Sequence, residues 1–477
     1  MNKTGLERQS MGAQTMGAQS SIMFDRKKLL KLIIPVVIEQ SLSVTVGMAD
    51  SIMVSKAGEE AISGIGLVNQ INVLLVMLFA ALASGGSVVV AQFFGNKDEK
   101  KACIAAEQQL LACLTSSTAL MSIALVFNRQ ILHFVFGSVS DQVMSNAIIY
   151  FGIIAVSFPF LAVYNAGAAL FRVMNNAHIS MYLSFIMNVI NVVLNYIFIF
   201  HFNMGVAGVA YATLISRIVV ALVLLFKIRD KRLPVHIDPY FRLKFKGYML
   251  KNVLRIGVPQ ACENSMFQVG KLCTQHLIST FGTAAIAANT TAATIEMLAD
   301  IPGSAMGMAL VTIVGQCAGA GQYGQARTYT KKLLKYTYGF LTVLNLAIIA
   351  MSRIIPTWYN LSPEGTRFAI QLIVYHSICC MLIWPLAFSI ASVLRSAGDA
   401  RYTMTVSILS MWIFRIGCAY LIASNVHGFG LNLGVLGVWI AMTIDWAVRA
   451  VFNLIRFSGH NWETKSVTRG KNIAKAS

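Results

Sequence analysis

Charge is scarce in this chain. Only 12% of its 477 residues are Asp, Glu, Lys or Arg, about half the share of an ordinary soluble domain. Acid is scarcer than base, with 19 Asp and Glu against 38 Lys and Arg. The eight cysteines are scattered, and only Cys379 and Cys380 are adjacent. That spacing excludes a disulfide framework and leaves them as small core residues. No Walker loop, zinc-ligand spacing or nucleophile elbow occurs, so the sequence offers no basis for an enzyme or a resident cofactor.

Apolar runs fill the space left by charge. Hydrophobic residues make up 56% of the chain. Twelve spans stand out, at 29–54, 62–91, 102–127, 142–171, 179–201, 205–226, 253–278, 286–315, 328–352, 364–394, 402–424 and 434–456. Each can cross about 30 Å of hydrocarbon as a helix. Backbone groups in lipid are satisfied only in helices or closed barrels, and these spans far exceed a barrel strand. The expected fold is therefore an all-α integral membrane protein with twelve transmembrane helices.

The basic residues choose sides. Loops after even-numbered spans hold Lys97, Lys100 and Lys101, then Arg172, then a run from Lys227 to Arg255. In the second half they hold Arg327, Lys331, Lys332 and Lys335, then Arg395 and Arg401, then the C-terminal tail. The opposite loops hold little beyond Lys56, Arg129, Arg353 and Arg367. By the positive-inside rule both termini are expected in the cytoplasm, with the protein in the cell membrane. This placement explains the net charge of +19 without nucleic acid. Residues 1–21 are polar, repeat MGAQ, and read as a disordered tail. Residues 228–252 read as a basic, aromatic interfacial linker, and 458–477 as a cytoplasmic basic tail. A cleaved signal is not expected, because the first apolar run recurs deep in the chain.

That recurrence organises everything else. Moved by 224 positions, Pro35 falls on Pro259, Glu39 on Glu263, Gln92 on Gln316, Gly95 on Gly319 and Ala102 on Ala326. Further on, Arg172 and Ala177 match Arg395 and Ala400, and GVAGV at 205–209 matches GVLGV at 434–438. Two six-helix lobes follow, 22–227 and 253–457. An even helix number gives them parallel orientation and a pseudo-two-fold axis along the membrane normal.

Polar residues inside apolar spans are costly and point to function. In the first half, Asp50 lies toward the outer end of span one. Asn188, Asn191 and Asn195 share one face of span five, and Thr213 lies in span six. A carboxylate, carboxamide oxygens and a hydroxyl suit a small hard cation such as sodium. Asp50 alone could instead carry a proton. A stripe that merely bonds helices together is the competing reading. The stripe is not duplicated: its counterparts are Met411, Phe414 and Cys418, and Thr274 replaces Asp50.

The second half has its own charges: Glu263 and Lys271 in span seven, Glu296 and Asp300 in span eight, Arg415 in span eleven, Asp445 and Arg449 in span twelve. Four acids against three bases could form a cation-attracting, proton-exchanging wall, or simply pair with one another. Pro35 and Pro259 each precede a Glu by four residues, at Glu39 and Glu263, and mark possible hinges. Phe158, Phe160, Tyr164, Tyr375 and Trp384 are candidate substrate contacts.

Over residues 25–457 the sequence resembles the multidrug and toxic compound extrusion (MATE) transporters. The resemblance rests on P-x3-E at Pro35 with ADSIMV at 49–54, VVAQFFG at 89–95, GVAGVAYAT at 205–213, IVGQCAGAG at 313–321 and LRSAGDA at 394–400. It implies two six-helix lobes forming a V around a central cavity. It also implies export of amphipathic, often cationic compounds driven by entry of sodium or protons; the protein is expected to work as a monomer. The N-terminal lobe looks most like the bacterial and archaeal DinF-like type. That type's coupling site would fall on Asp50, Asn191, Asn195 and Thr213. Asn195 departs from it, since a second carboxylate is expected there, which leaves Asp50 to titrate alone. In another branch a Glu of helix seven serves, and its position here is Phe267. The wider superfamily includes flippases of lipid-linked saccharides, the alternative function.

Overall fold

The structure, a computed structural model, describes residues 23–54, 59–137, 139–237, 244–359, 361–423 and 431–468. The proposed disordered tail at 1–21 lies outside them. The first half comprises α1 (Arg26–Val54), α2 (Glu59–Gly95), α3 (Glu99–Val126), α4 (Asn128–Phe136), α5 (Asp141–Val156), α6 (Phe158–Val173), α7 (Ala177–Tyr196) and α8 (Gly205–Ile228). The second comprises α9 (Gly247–Ser279), α10 (Thr283–Ala299), α11 (Ile301–Gly319), α12 (Tyr323–Met351), α13 (Pro363–Leu382), α14 (Ile390–Ser396), α15 (Ala400–Ser410), α16 (Cys418–Ala423) and α17 (Gly434–Ser458). No strand occurs among the described residues.

These helices make twelve spans. Among the described residues, nine stretches are long and apolar enough to cross singly, and α5 with α6 qualifies as a pair bent by 46°. The remaining two are α1 and α9, the repeat-related first helices, which carry Glu39 and Glu263. Span four breaks at Ser157, just before Pro159. Span eight breaks at Asp300, before Pro302. Span ten passes through a π-helical turn at Pro385–Ser389. A proline ring cannot accommodate the carbonyl one turn earlier, which accounts for breaks at these places. Pro35 and Pro259, the expected hinges, lie inside helices that run on through them.

The duplication extends to the backbone. Left-handed conformations occur at Lys97 and Gly321, at Asn175 and Gly398, at Asn203 and Asn432, and at Gly205 and Gly434. Each pair occupies equivalent positions in the two halves. Glycine adopts this conformation freely, and Asn with little cost. The first pair closes the turns after α2 and α11, whose ends carry the repeated Gln-x-x-Gly.

Lipid tails are as apolar as leucine, so helices in a membrane associate through close packing of small residues. A Cβ on Gly85 of α2 would stand 2.3 Å from the Cα of Gly257 on α9. At the basic-loop face a Cβ on Gly95 would stand 2.0 Å from the Gln316 carbonyl oxygen. Its counterpart on Gly319 would stand 1.9 Å from the Gln92 oxygen. The two glutamines finish the crossing. Gln92 Nε2 donates to the Ser396 carbonyl at 2.8 Å, and Gln316 Nε2 to the Val173 carbonyl at 2.7 Å. Each thus reaches the end of a helix in the opposite half.

The segment after α17 folds back over this seam. Trp462 is fully buried, and stacks on Phe457. Arg327 holds Glu463 at 2.8 Å. Beyond it, the Val467 amide and the Ser466 hydroxyl both donate to Gln92 Oε1, at 2.8 and 3.1 Å. Within the expected linker, Val235 and Ile237 are buried in the first half's core, and α9 starts at Gly247.

Candidate functional site

In the first half, α7 presents Asn188, Asn191 and Asn195 buried. Asn195 Nδ2 donates to Asn191 Oδ1 at 3.2 Å, and Asn191 Nδ2 to Thr213 Oγ1 at 3.2 Å. Thr213 in turn donates to the Val209 carbonyl at 3.0 Å. The stripe and the threonine of α8 therefore form one hydrogen-bonded chain. Asn188 stands apart from it, its Nδ2 without a partner among the described residues. Asp50 belongs to α1, which packs along α7; its side chain lies outside the described residues. One turn beyond Thr213, Arg217 donates to the Ser157 hydroxyl at 2.7 Å, at the break in span four. Sequence reasoning missed this arginine, although a single charge within the run at 205–226 is a usable signal.

Two matching ion pairs flank the space between the halves. Arg172 NH1 contacts both oxygens of Glu39, at 3.0 and 3.3 Å, and the Ser180 hydroxyl donates to Glu39 at 2.8 Å. Arg395 NH1 contacts both oxygens of Glu263, at 3.2 and 3.3 Å, and Ser407 donates to Glu263 at 2.7 Å. Counted as loop charges in the sequence, Arg172 and Arg395 instead turn inward from the ends of α6 and α14. Their near-equal spacing from the repeated glutamates, 133 and 132 positions, was the signal that could have revealed this.

Between the pairs lies a cavity of about 360 Å³. Glu39, Arg172 and Arg395 line it with the polar Gln40, Asn165, Gln260 and Asn264. Trp384, Phe388 and Met308 supply its apolar wall. Among the candidate aromatics, Trp384 reaches this wall, whereas Phe160 faces a separate apolar groove beside Pro159.

The second-half charges separate into pairs. Asp445 binds Arg449 at 2.8 Å and Arg415 at 3.5 Å, all three buried. Lys271 meets Glu296 at 3.7 Å. Glu263 is not among them, being held by Arg395. Asp300 makes no ion pair among the described residues; Cys380 Sγ lies 3.5 Å from its carboxylate instead. Desolvation makes unpaired charge unfavourable in a membrane interior, and every charge of the group except Asp300 is paired. Phe267 sits at the centre of the group, with Arg415, Lys271 and Arg449 at 4.9, 5.4 and 5.7 Å from its ring. A π face satisfies cations without hydrogen bonds. Arg415 itself is carried by a π-helical turn, Met411–Gly417, which occupies the place of the Asn stripe in the repeat. Two positions of one scaffold thus hold different chemistry.

Comparison with known proteins accords with this architecture. The MatE family model matches residues 35–197 and again 259–421. The uncharacterized transporter YisQ of Bacillus subtilis is 25% identical over 445 residues, covering 92% of this chain and 95% of its own. The probable multidrug resistance protein NorM of Thermotoga maritima is 26% identical over 459 residues, covering 93% and 94%. A crystallised MATE in complex with MaL6 superposes with a TM-score of 0.81 at 23% identity, covering 91% of this chain and 96% of its own. The duplicated six-span scaffold, its shared seam and the two family matches converge on one conclusion: the chain belongs to the MatE family and is a multi-pass membrane transporter.

Proposed function

We propose that this transporter is a multidrug antiporter of the cytoplasmic membrane, exporting amphipathic cationic compounds in exchange for sodium ions or protons by alternating access. The basic face and both termini are cytoplasmic in this reading. The observation that carries it is the polar chain Asn195–Asn191–Thr213, present in one half of an otherwise duplicated scaffold. A structural duplication does not call for such an asymmetry, whereas a single ion site would need the polar chain in one half alone. The names of the NorM relatives as multidrug resistance proteins support the substrate class.

In the proposed cycle, an ion arriving from outside neutralises Asp50 and draws on the carboxamide and hydroxyl oxygens of α7 and α8. A ligand shifts a conformational equilibrium only by binding its two states unequally. Neutralising one intramembrane carboxylate is worth several kcal/mol, which suffices. The altered packing of α1, α7 and α8 reshapes the cavity wall at Glu39 and Arg172 and releases the substrate outward. The halves meet tightly at the basic face, which corresponds to the state before inward release of the ion.

The test is flux in reconstituted vesicles with sodium and proton gradients imposed separately and a fluorescent organic cation as substrate. One gradient is expected to drive efflux. Asp50→Asn is expected to abolish the driven component while melting like the wild type. Full driven transport by that variant would sink the assignment. Two arginines in the cavity wall favour a second reading, translocation of an anionic lipid-linked saccharide. Translocation of such a lipid, without dye flux, would establish it.

A further inference from the structure

Apart from the paired charges, one buried cluster has the composition of a metal site. Asp300, at the break between α10 and α11, lies beside His376 and Cys380 of α13. The last two are four residues apart and so share a helix face. One ligand atom from each of the three lies within 4.8 Å of the other two. Cys380 Sγ is 3.5 Å from Asp300 Oδ1. A tetrahedral zinc ion holds its ligand atoms about 3.3–3.8 Å apart, from bond lengths of roughly 2.0–2.3 Å.

Three surroundings point the same way. His376 is 2% exposed, yet its Nε2 has no hydrogen-bond partner among the described residues. A buried polar nitrogen without a partner is costly, and a metal would satisfy it. The imidazole is fixed edge-on between Trp439 and Trp446, 5.6 Å from each ring centroid. Asn345 Nδ2 approaches Cys380 Sγ at 3.7 Å from α12, as an outer donor to a metal-bound thiolate would.

We propose that Asp300, His376 and Cys380 bind a zinc-class divalent cation. Mixed S, N and O donors suit zinc over sodium, magnesium or calcium, which take oxygen alone. Thiolate and carboxylate together balance the two charges of the ion, which makes the site tolerable at membrane depth. Three protein ligands leave a fourth position open. Bound metal ties the break in span eight to span ten, one turn from Ser304 and Trp384 in the wall of the central cavity. The site is independent of the coupling ion proposed at Asp50.

Untagged, metal-free protein in detergent is titrated with zinc(II) against a chromophoric chelator, then with cobalt(II) while its absorption is recorded. One equivalent of zinc is expected. Cobalt is expected to give a thiolate charge-transfer band and the strong visible absorption of a four-coordinate ion. Cys380→Ser should remove the charge-transfer band, and His376→Gln and Asp300→Asn should each weaken zinc at least about tenfold. Cys379→Ser, adjacent and also buried, should keep both. Zinc should raise the melting temperature of the wild type and of Cys379→Ser, but not of His376→Gln. Absence of the cobalt band in the wild type, or its persistence in Cys380→Ser, overturns the proposal. Should Cys380→Ser fail to fold, undiminished zinc binding in both His376→Gln and Asp300→Asn overturns it equally.

Discussion

Replacing Gly95 by alanine tests whether the seam at the basic face is a closed contact. The added methyl would lie 2.0 Å from the Gln316 carbonyl oxygen and 2.7 Å from that residue's Cα. Both atoms are backbone, so no side chain can swing aside. Close carbon–oxygen contacts run about 3.3–3.6 Å, so α2 and α11 must part by roughly 1.3 Å or more. Overpacking of this kind costs about 1–3 kcal/mol. The cost falls on the state with the seam closed and spares a state in which the halves separate there. At roughly 1.4 kcal/mol per tenfold, the equilibrium moves about 5- to 150-fold toward the separated state. Hydrogen exchange in the tail reads this directly, because the Val467 amide is held by Gln92 of the same crossing. Tail peptides of Gly95→Ala are expected to exchange faster by that factor. Gly319→Ala, the equivalent change, should act in the same direction. Gly339→Ala serves as the control, since an added methyl there meets nothing within 4 Å. Wild-type exchange in both seam variants would refute the closed crossing.

Two further outcomes follow from the charges. Arg395→Ala leaves the partly buried Glu263 with Ser407 as its remaining hydrogen-bond partner among the described residues, and should lower stability by about 3 kcal/mol, the low end for breaking a buried pair; pairing it with Glu263→Gln should restore much of the loss in thermal melts. The docked tail should depend on pH through Glu463. Burial alone would raise its pKa, but bonds from Arg327 and His460 carry it below the usual carboxylate range. A depressed value in the docked state means that Glu463 stabilises docking above the ordinary carboxylate pKa. That contribution is lost as pH falls through the lowered value. Protection of the 463–468 amides, taken relative to the intrinsic exchange rate at each pH, should therefore fall at acidic pH in the wild type. In Glu463→Gln that protection should be lower at neutrality and less dependent on pH.

Membrane solvent makes much of such a fold readable in advance. Every backbone group in hydrocarbon needs an internal partner, so long apolar runs must be helices. The twelve spans and the duplicated halves were therefore determined by the sequence. So was the asymmetry of the Asn stripe, since it is a difference between two aligned copies. Its hydrogen-bonded chain to Thr213 required only that α7 and α8 be neighbours, as a short connection ensures.

Pairing between distant residues was not determined in this way. Glu39 and Arg172 are 133 positions apart, and Glu263 and Arg395 are 132 apart. No helical period connects such separations, and a positive residue at a span end looks the same whether it faces water or turns inward. Tertiary structure alone placed Phe267 among three cations, removed Glu263 from the second-half cluster, and brought Cys380 and His376 to Asp300. It also decided that residues 462–468, the start of what reads as a cytoplasmic basic tail, lie on the seam. Their hydrogen bonds to Gln92 exist only once α2 and α11 have crossed.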